Sequence, residues 1–421
     1  MTQSFYSAAR QTGVLKASGQ PPVTKAILAS TLLAAAAALA PTTSAFAQDE
    51  GGWEFDGVPS WSNPETGDSF TFRGRVYLDY GDVEFETAGA TTSWSDSEIR
   101  TARLGVTGSF SGVSYVAEFD LINEAIAAND VYLTFEGSGF ELKLGHMKTP
   151  NSIDEQTSSR YISFMERGLG TDLFGLDRRV GALLVHEGEG YTISGGVFGG
   201  RPGDLSDSLE LDDSSALAAR ITRTVSTDDA TLHFGASVRH LDYGDAGTRV
   251  RVRQQTHITG RVVSADFRPG RPLGEAETSL FWGLEAAMVR GPFHVEAEWM
   301  DLTVDGPAGD PDFNAQYISA GYFLTGETRS YSSGSGRFGR TRPTTTVSEG
   351  GMGAVEIALR VDRADLDSVN EGVLTNWTLG VNWYLEDHVR VMANLVDGTV
   401  QRTGAADTDV SGAQLRLQWD F

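Results

Sequence analysis

Apolar and polar residues alternate with a period of two through most of the chain, in short runs separated by turn residues. In Gln414-Leu415-Arg416-Leu417-Gln418-Trp419-Asp420-Phe421 the alternation is unbroken. Successive side chains of a strand point to opposite faces, so Leu415, Leu417, Trp419 and Phe421 share a greasy face while Gln414, Arg416, Gln418 and Asp420 share a wet one. Val113, Tyr115, Ala117, Phe119 and Leu121 repeat the pattern, as do Trp282, Leu284, Ala286 and Met288, and Trp377, Leu379, Val381, Trp383 and Leu385. Between them fall Ser114, Glu118, Asp120, Glu285, Asn376, Thr378 and Asn382. One such strand fits a soluble sheet packed on a core. Turn punctuation, however, gives about sixteen candidate strands, near 70–80, 99–109, 113–121, 129–137, 139–147, 179–187, 190–198, 216–225, 230–240, 279–289, 292–303, 314–325, 352–362, 374–385, 388–397 and 411–421. Most have roughly the 9–11 residues with which a tilted strand crosses a bilayer. Charge on the interleaved positions requires water on that side, which a wide closed barrel supplies. The pattern predicts an all-β fold: a closed transmembrane antiparallel β-barrel of about sixteen strands, with both termini on the periplasmic side.

The connections alternate too. Tight ones at Ser109–Gly112, Gly137–Gly139, Glu187–Gly190, Ser226–Asp229, Arg290–Pro292 and Glu386-Asp387 are interleaved with longer ones, the asymmetry expected of periplasmic turns and outer loops. Residues 326–351 fall on the short-turn side yet are long and rich in Gly, Ser and Arg, so either the count is off or this segment folds into the lumen. Residues 148–178 and 241–278 are also too long for simple loops and are expected to narrow the pore. Before the barrel at 69–421, residues 48–68 read as a flexible lead-in. Residues 1–47 read as a cleaved secretory signal: Arg10, Lys16 and Lys25 precede the apolar run Ala26–Ala40, and Ala45-Phe46-Ala47 offers a cleavage site.

Composition excludes several classes. There is no Cys, hence no disulfide or thiolate metal site, and no stretch after Ala47 approaches the roughly 20 apolar residues of a membrane helix. The formal net charge of −24 disfavours nucleic acid as a partner. It does not exclude an anion pathway, because the position of charge outweighs its total.

Candidate chemistry concentrates in Thr248-Arg249-Val250-Arg251-Val252-Arg253, where three guanidinium groups share one face of an extended segment. At about 3.3 Å per residue the three sites span roughly 13 Å, so an anion can pass along them. Arg suits this work because its charge does not titrate away and its planar fork holds an oxyanion bidentately. One Arg about 4 Å from a monoanion contributes about 4 kcal/mol at an effective dielectric near 20, before desolvation. Acids beyond a Debye length, about 8 Å, are largely screened where water intervenes. The alternative is a solvated loop strand whose arginines bind lipopolysaccharide phosphates or internal acids.

The chain resembles the phosphate-selective porins O and P. The resemblance rests on Arg100-Thr101-Ala102-Arg103-Leu104-Gly105-Val106, on Leu144-Gly145-His146-Met147-Lys148-Thr149-Pro150 with Ser158-Ser159-Arg160 and Phe164-Met165-Glu166-Arg167, on Tyr322–Glu327 continuing to Arg337-Phe338-Gly339-Arg340, and on Gly380–Leu385. It implies a trimeric outer-membrane porin of a Gram-negative bacterium, with inward-folded loops and an arginine ladder leading anions to a narrow eyelet. By resemblance, Arg249, Arg251 and Arg253 stand where that ladder begins. Arg103, Lys148, Arg160 and Arg167 are candidates for the constriction, and Arg100, Arg337, Arg340 and Arg342 are secondary lumen candidates. Two positions depart from the family: an Arg pair is common where Arg100-Thr101 stands, and a Lys where Arg160 stands. Asp154, Glu155 and Glu166 in the same loop are placed to pair with Arg160 and Arg167, silencing or ordering them.

The resulting expectation is a passive channel for small anions such as phosphate, with no cofactor and no bound metal. Its partners are the solute, outer-membrane lipid and lipopolysaccharide, and two further copies of the chain. A less selective porin with structural arginines is the alternative. An enzyme finds little support, since G-x-S-x-G, H-E-x-x-H and P-loop motifs are all missing. Asp212-Asp213 and Asp228-Asp229 fit turn solvation better than metal binding. A secreted β-sandwich would need the apolar positions to meet in a core.

Overall fold

The computed structural model describes residues 52–421 apart from 56–57, 123–125, 203–210 and 307–308; the expected signal sequence lies outside the described residues. Sixteen long strands follow one another: Ser69–Thr87, Ala90–Phe110, Val113–Asp120, Ala127–Gly137, Phe140–Lys148, Arg178–Gly188, Tyr191–Phe198, Ser215–Ser226, Thr231–Asp242, Thr278–Arg290, Phe293–Asp305, Asp312–Phe323, Ala354–Asp365, Val373–Glu386, Val389–Gln401 and Thr408–Asp420. Each pairs antiparallel with the next, and the last closes on the first with Thr408 opposite Thr87 and Asp420 opposite Arg75. Closure leaves no edge strand within the ring, the condition for a sheet to sit in lipid. Each expected strand has its counterpart. The first hairpin runs past its expected end because residues 81–98 stay paired, with the Phe85 and Trp94 rings meeting edge-on at 5.1 Å.

The two faces separate as the alternation requires. Leu284, Trp377 and Leu417 point outward with 52%, 42% and 45% exposure, while their neighbours Glu285, Asn376 and Arg416 are buried inside. Register shifts at Tyr77/Leu78, Glu118/Phe119 and Tyr384/Glu386 break the phase among the described residues, and the first two re-aim lumen side chains. Tyr77 faces Thr101 but Leu78 faces Ile99, so Arg100 has no partner residue. A bulge re-aims a side chain. Here Ile99 turns outward while Arg100 and Thr101 both line the interior cavity. A second bulge at Glu118/Phe119 brings Asn129 and Asp130 inward together, where Asn129 donates to Glu118 at 2.7 Å and Asp130 accepts from Arg178.

Three connections enter the barrel. Residues 149–177 cross it with one-turn helices at Ile153–Gln156 and Leu169–Leu173. The hairpin Thr248–Val252/Val263–Phe267 packs beside this segment. The long turn-side segment, residues 324–353, also folds inward and forms its own small hairpin, Tyr331–Ser332 with Arg337–Phe338. The strand count therefore stands, and the lumen location is the answer for 326–351. Leu169, Leu173 and Phe174 of the crossing loop, Val250, Val252 and Phe267 of the hairpin, and Phe281, Met300 and Phe313 of the wall form one apolar cluster. Part of the interior is thus a packed core, where strands are apolar on both faces. Ahead of the barrel, Gly52–Phe55 pairs with Pro59–Ser62, Trp53 opposite Trp61, and the second of these strands extends the sheet beside Ser69–Thr71.

Candidate functional site

Between the inward-folded segments one cavity of about 1100 Å³ reaches from Ala246 and Gly247 in a long loop to Lys143 near the opposite tight turn. Fifteen arginines and two lysines line it, against Asp130, Glu155, Glu166, Asp172 and Asp177. A chain of net charge −24 has therefore concentrated its cations inside the barrel.

Most of these cations are held by carboxylates. Arg73, Arg75 and Arg160 converge on Glu118 at 2.9, 2.8 and 3.8 Å. Arg103 binds Asp120 at 2.9 Å, and Arg100 binds Glu166 at 3.1 Å. Lys148 and Arg167 share Glu155 at 3.1 and 3.2 Å, and Arg167 also approaches Asp154. Arg416 bridges Asp79 at 2.6 Å and Glu166 at 3.3 Å. Burial works against the charged form of Glu166, but Arg100 and Arg416 outweigh it and hold its pKa at about 2.

Arg249, Arg251, Arg253 and Arg337 differ: among the described residues no carboxylate lies within 4.0 Å of their side-chain nitrogens, and all four line the cavity. The first three stand on one face of the inward hairpin, while Val250 and Val252 between them are buried against the wall. Burying these valines, at roughly 1.5–3 kcal/mol each, fixes which way the arginines point. Burial and the like charges of Arg261 and Arg249 push the Arg251 pKa down, and burial and Arg261 do the same for Arg253. These groups destabilise one another's charge, which an anion between them would relieve.

The cavity gathers Arg249, Arg251, Arg253, Arg103, Lys148, Arg160, Arg167, Arg100 and Arg337. Arg340 and Arg342 are elsewhere: Arg340 is paired with Asp420 beside a smaller pocket, and Arg342 faces Asp387 at 3.5 Å with its side chain 59% exposed. Sequence reasoning passed over Arg73, Arg75, Arg178 and Arg201, which also line the cavity, although Arg73 and Arg75 are in phase with the wet positions of their strand. The acid pairs serve elsewhere as well: Asp212 caps Ser214, Asp213 accepts from the Asp245 amide, and Asp229 pairs with Arg290.

The profile of the family described as phosphate-selective porin O and P matches residues 70–421, the whole barrel. The chain belongs to that family. Among relatives of this porin, an uncharacterized protein of Caulobacter vibrioides is 32% identical over 428 residues, covering 96% of the chain and 82% of that protein. Porin O of Pseudomonas aeruginosa is 24% identical over 399 residues, 84% of the chain and 88% of its own length. Solved structures share the fold at low identity. OprB of Pseudomonas putida has a TM-score of 0.55 at 10% identity, covering 85% of this porin and 95% of that chain. An anion-selective porin from Comamonas acidovorans has a TM-score of 0.50 at 12% identity, covering 84% and 100%. Membership places the porin in the outer membrane and points to a channel rather than an enzyme.

Proposed function

We propose that this porin is a passive channel for small anions, with phosphate or a related oxyanion as its solute. The observation that carries the reading is the row Arg249, Arg251 and Arg253, with no carboxylate within 4.0 Å among the described residues, in a cavity lined by seventeen cations against five acids. Sites about 7 Å apart along the hairpin let an anion exchange one guanidinium fork for the next without meeting a deep trap. Arg103, Lys148, Arg160 and Arg167 form the second stage, and Arg100 and Arg337 flank it. Their charges are partly neutralised, which favours a modest rather than steep barrier to cations. The solute moves down its gradient and no bond is made or broken. Family resemblance supports a homotrimer in contact with outer-membrane lipid and lipopolysaccharide.

The test is the reversal potential of the purified porin in a planar bilayer under a potassium chloride gradient. Anion preference is expected, and its loss when Arg249, Arg251 and Arg253 are all changed to Gln; a cation-preferring wild type sinks the reading. The pairing of the constriction cations favours a second possibility, a porin that prefers anions without distinguishing among them. Phosphate added to a chloride-conducting channel separates the two, since a phosphate pathway predicts a saturable block and a general one does not.

A further inference from the structure

Glu298 lies on the strand Phe293–Asp305, is 5% exposed and does not line the cavity, yet the crossing loop is fastened to it. Its carboxyl group accepts from the Ser152 hydroxyl at 2.9 Å, the Ile153 and Asp154 amides at 3.0 and 3.2 Å, and the Tyr317 hydroxyl at 3.0 Å. The two amides are free N–H groups at the start of the one-turn helix Ile153–Gln156, which no backbone carbonyl can satisfy. Ser152 sits at φ 64°, a backbone state that costs a non-glycine residue and persists only where its surroundings enforce it.

From that anchor a short chain of contacts leads to the constriction. Asp154 accepts from the Gly168 amide at 3.0 Å and the Thr171 hydroxyl at 2.9 Å, closing the loop on itself, and its backbone carbonyl accepts from Arg167. Glu155, next along, holds Lys148 and Arg167 at 3.1 and 3.2 Å. Glu155 for both cations, and the Asp154 carbonyl for Arg167, thus tie their side chains to the turn that Glu298 holds.

We propose that Glu298 is a positioning residue for the constriction: it fixes the loop turn that orients the side chains of Lys148 and Arg167 in the cavity, and so sets anion preference without meeting the solute. This rests on the anion-channel reading above. Removal of one partner from a buried hydrogen-bonded group leaves the others unsatisfied, so the turn at 152–155 leaves the wall rather than staying docked over a gap.

The experiment compares the full-length wild type with Glu298→Ala, Glu298→Gln and Ser152→Ala in planar bilayers, reading reversal potential and open-channel current noise. Glu298→Ala is expected to raise the noise and lower the anion-to-cation permeability ratio several-fold. Glu298→Gln, whose amide oxygen still accepts, is expected to fall between it and wild type, and Ser152→Ala to shift in the same direction by less. The sign is decisive: loss of a carboxylate with the loop still in place leaves anion preference unchanged or raised, and either result overturns the proposal. If Glu298→Ala fails to give a heat-modifiable barrel, Ser152→Ala and Glu298→Gln carry the test, and wild-type noise and selectivity in both overturn it. A cation-preferring wild type refutes the channel reading instead, while increased noise in Glu298→Ala would still report release of the loop.

Discussion

Among the described residues Arg251 has guanidinium neighbours and no carboxylate within 4.0 Å, whereas Arg100 has Glu166; that difference of partner separates a cation that can meet a solute from one already neutralised. Arg251→Gln is therefore expected to lower anion permeability relative to cation permeability several-fold, with barrel folding unchanged, because among the described residues its side chain bonds to nothing that holds the wall. Glu166→Gln removes the charge that ties the loop to Arg100 and Arg416, so its open-channel noise at neutral pH is expected to match that of the wild type at low pH. The pH dependence follows from the same pairing. The Glu166 pKa is depressed from an ordinary 4.5 to about 2, so the docking it contributes is complete above about pH 5 and is lost as pH falls toward 2. Conductance noise arising from this loop is expected to stay flat from about pH 8 to 5 and to rise below pH 4. A rise between pH 7 and 6 would point to another group.

The crossing loop, residues 149–177, shows how an element without regular structure is held in a wide barrel. Wall side chains satisfy its carbonyls in turn: Gln418 donates to Arg160 at 3.0 Å, Arg390 to Ile162 at 2.9 Å, Asn382 to Ser163 at 2.8 Å and Arg416 to Met165 at 2.7 Å. Close approach also needs small residues. A Cβ on Gly168 would lie 2.7 Å from the Tyr317 ring, and Tyr317 is itself tied to Glu298. Gly168→Val is expected to push the loop off the wall, costing about 1–3 kcal/mol locally, to be seen as faster cleavage of 149–177 by an added protease while the barrel remains heat-modifiable. The strands were legible because a period of two survives wherever one face meets lipid. The loop's path was not, since its partners Gln418, Arg390 and Asn382 lie more than 200 positions away in sequence and each reads only as another wet-face residue. The bulge that aims Arg100 inward was equally hidden, because strict alternation with Arg103 turns that residue toward lipid.

On the scale of the whole molecule the chain sorts its charge. Asp82, Glu84 and Glu86 lie exposed on the protruding first hairpin with Asp409 opposite, while the cavity keeps seventeen cations. The acidic balance of the sequence describes the outside of the barrel, which is why net charge alone misleads about the solute. Two opposed fields predict a definite response to salt. At about 0.15 M the Debye length is about 8 Å, comparable with the spacing of Arg249, Arg251 and Arg253, so their potentials overlap into one attractive path. At about 1 M it shrinks to about 3 Å and each guanidinium acts alone. The anion-to-cation permeability ratio should therefore drop steeply between those concentrations, and less steeply once the three arginines are changed to Gln. A ratio indifferent to salt would mean that selection comes from the width of the constriction rather than from its charge.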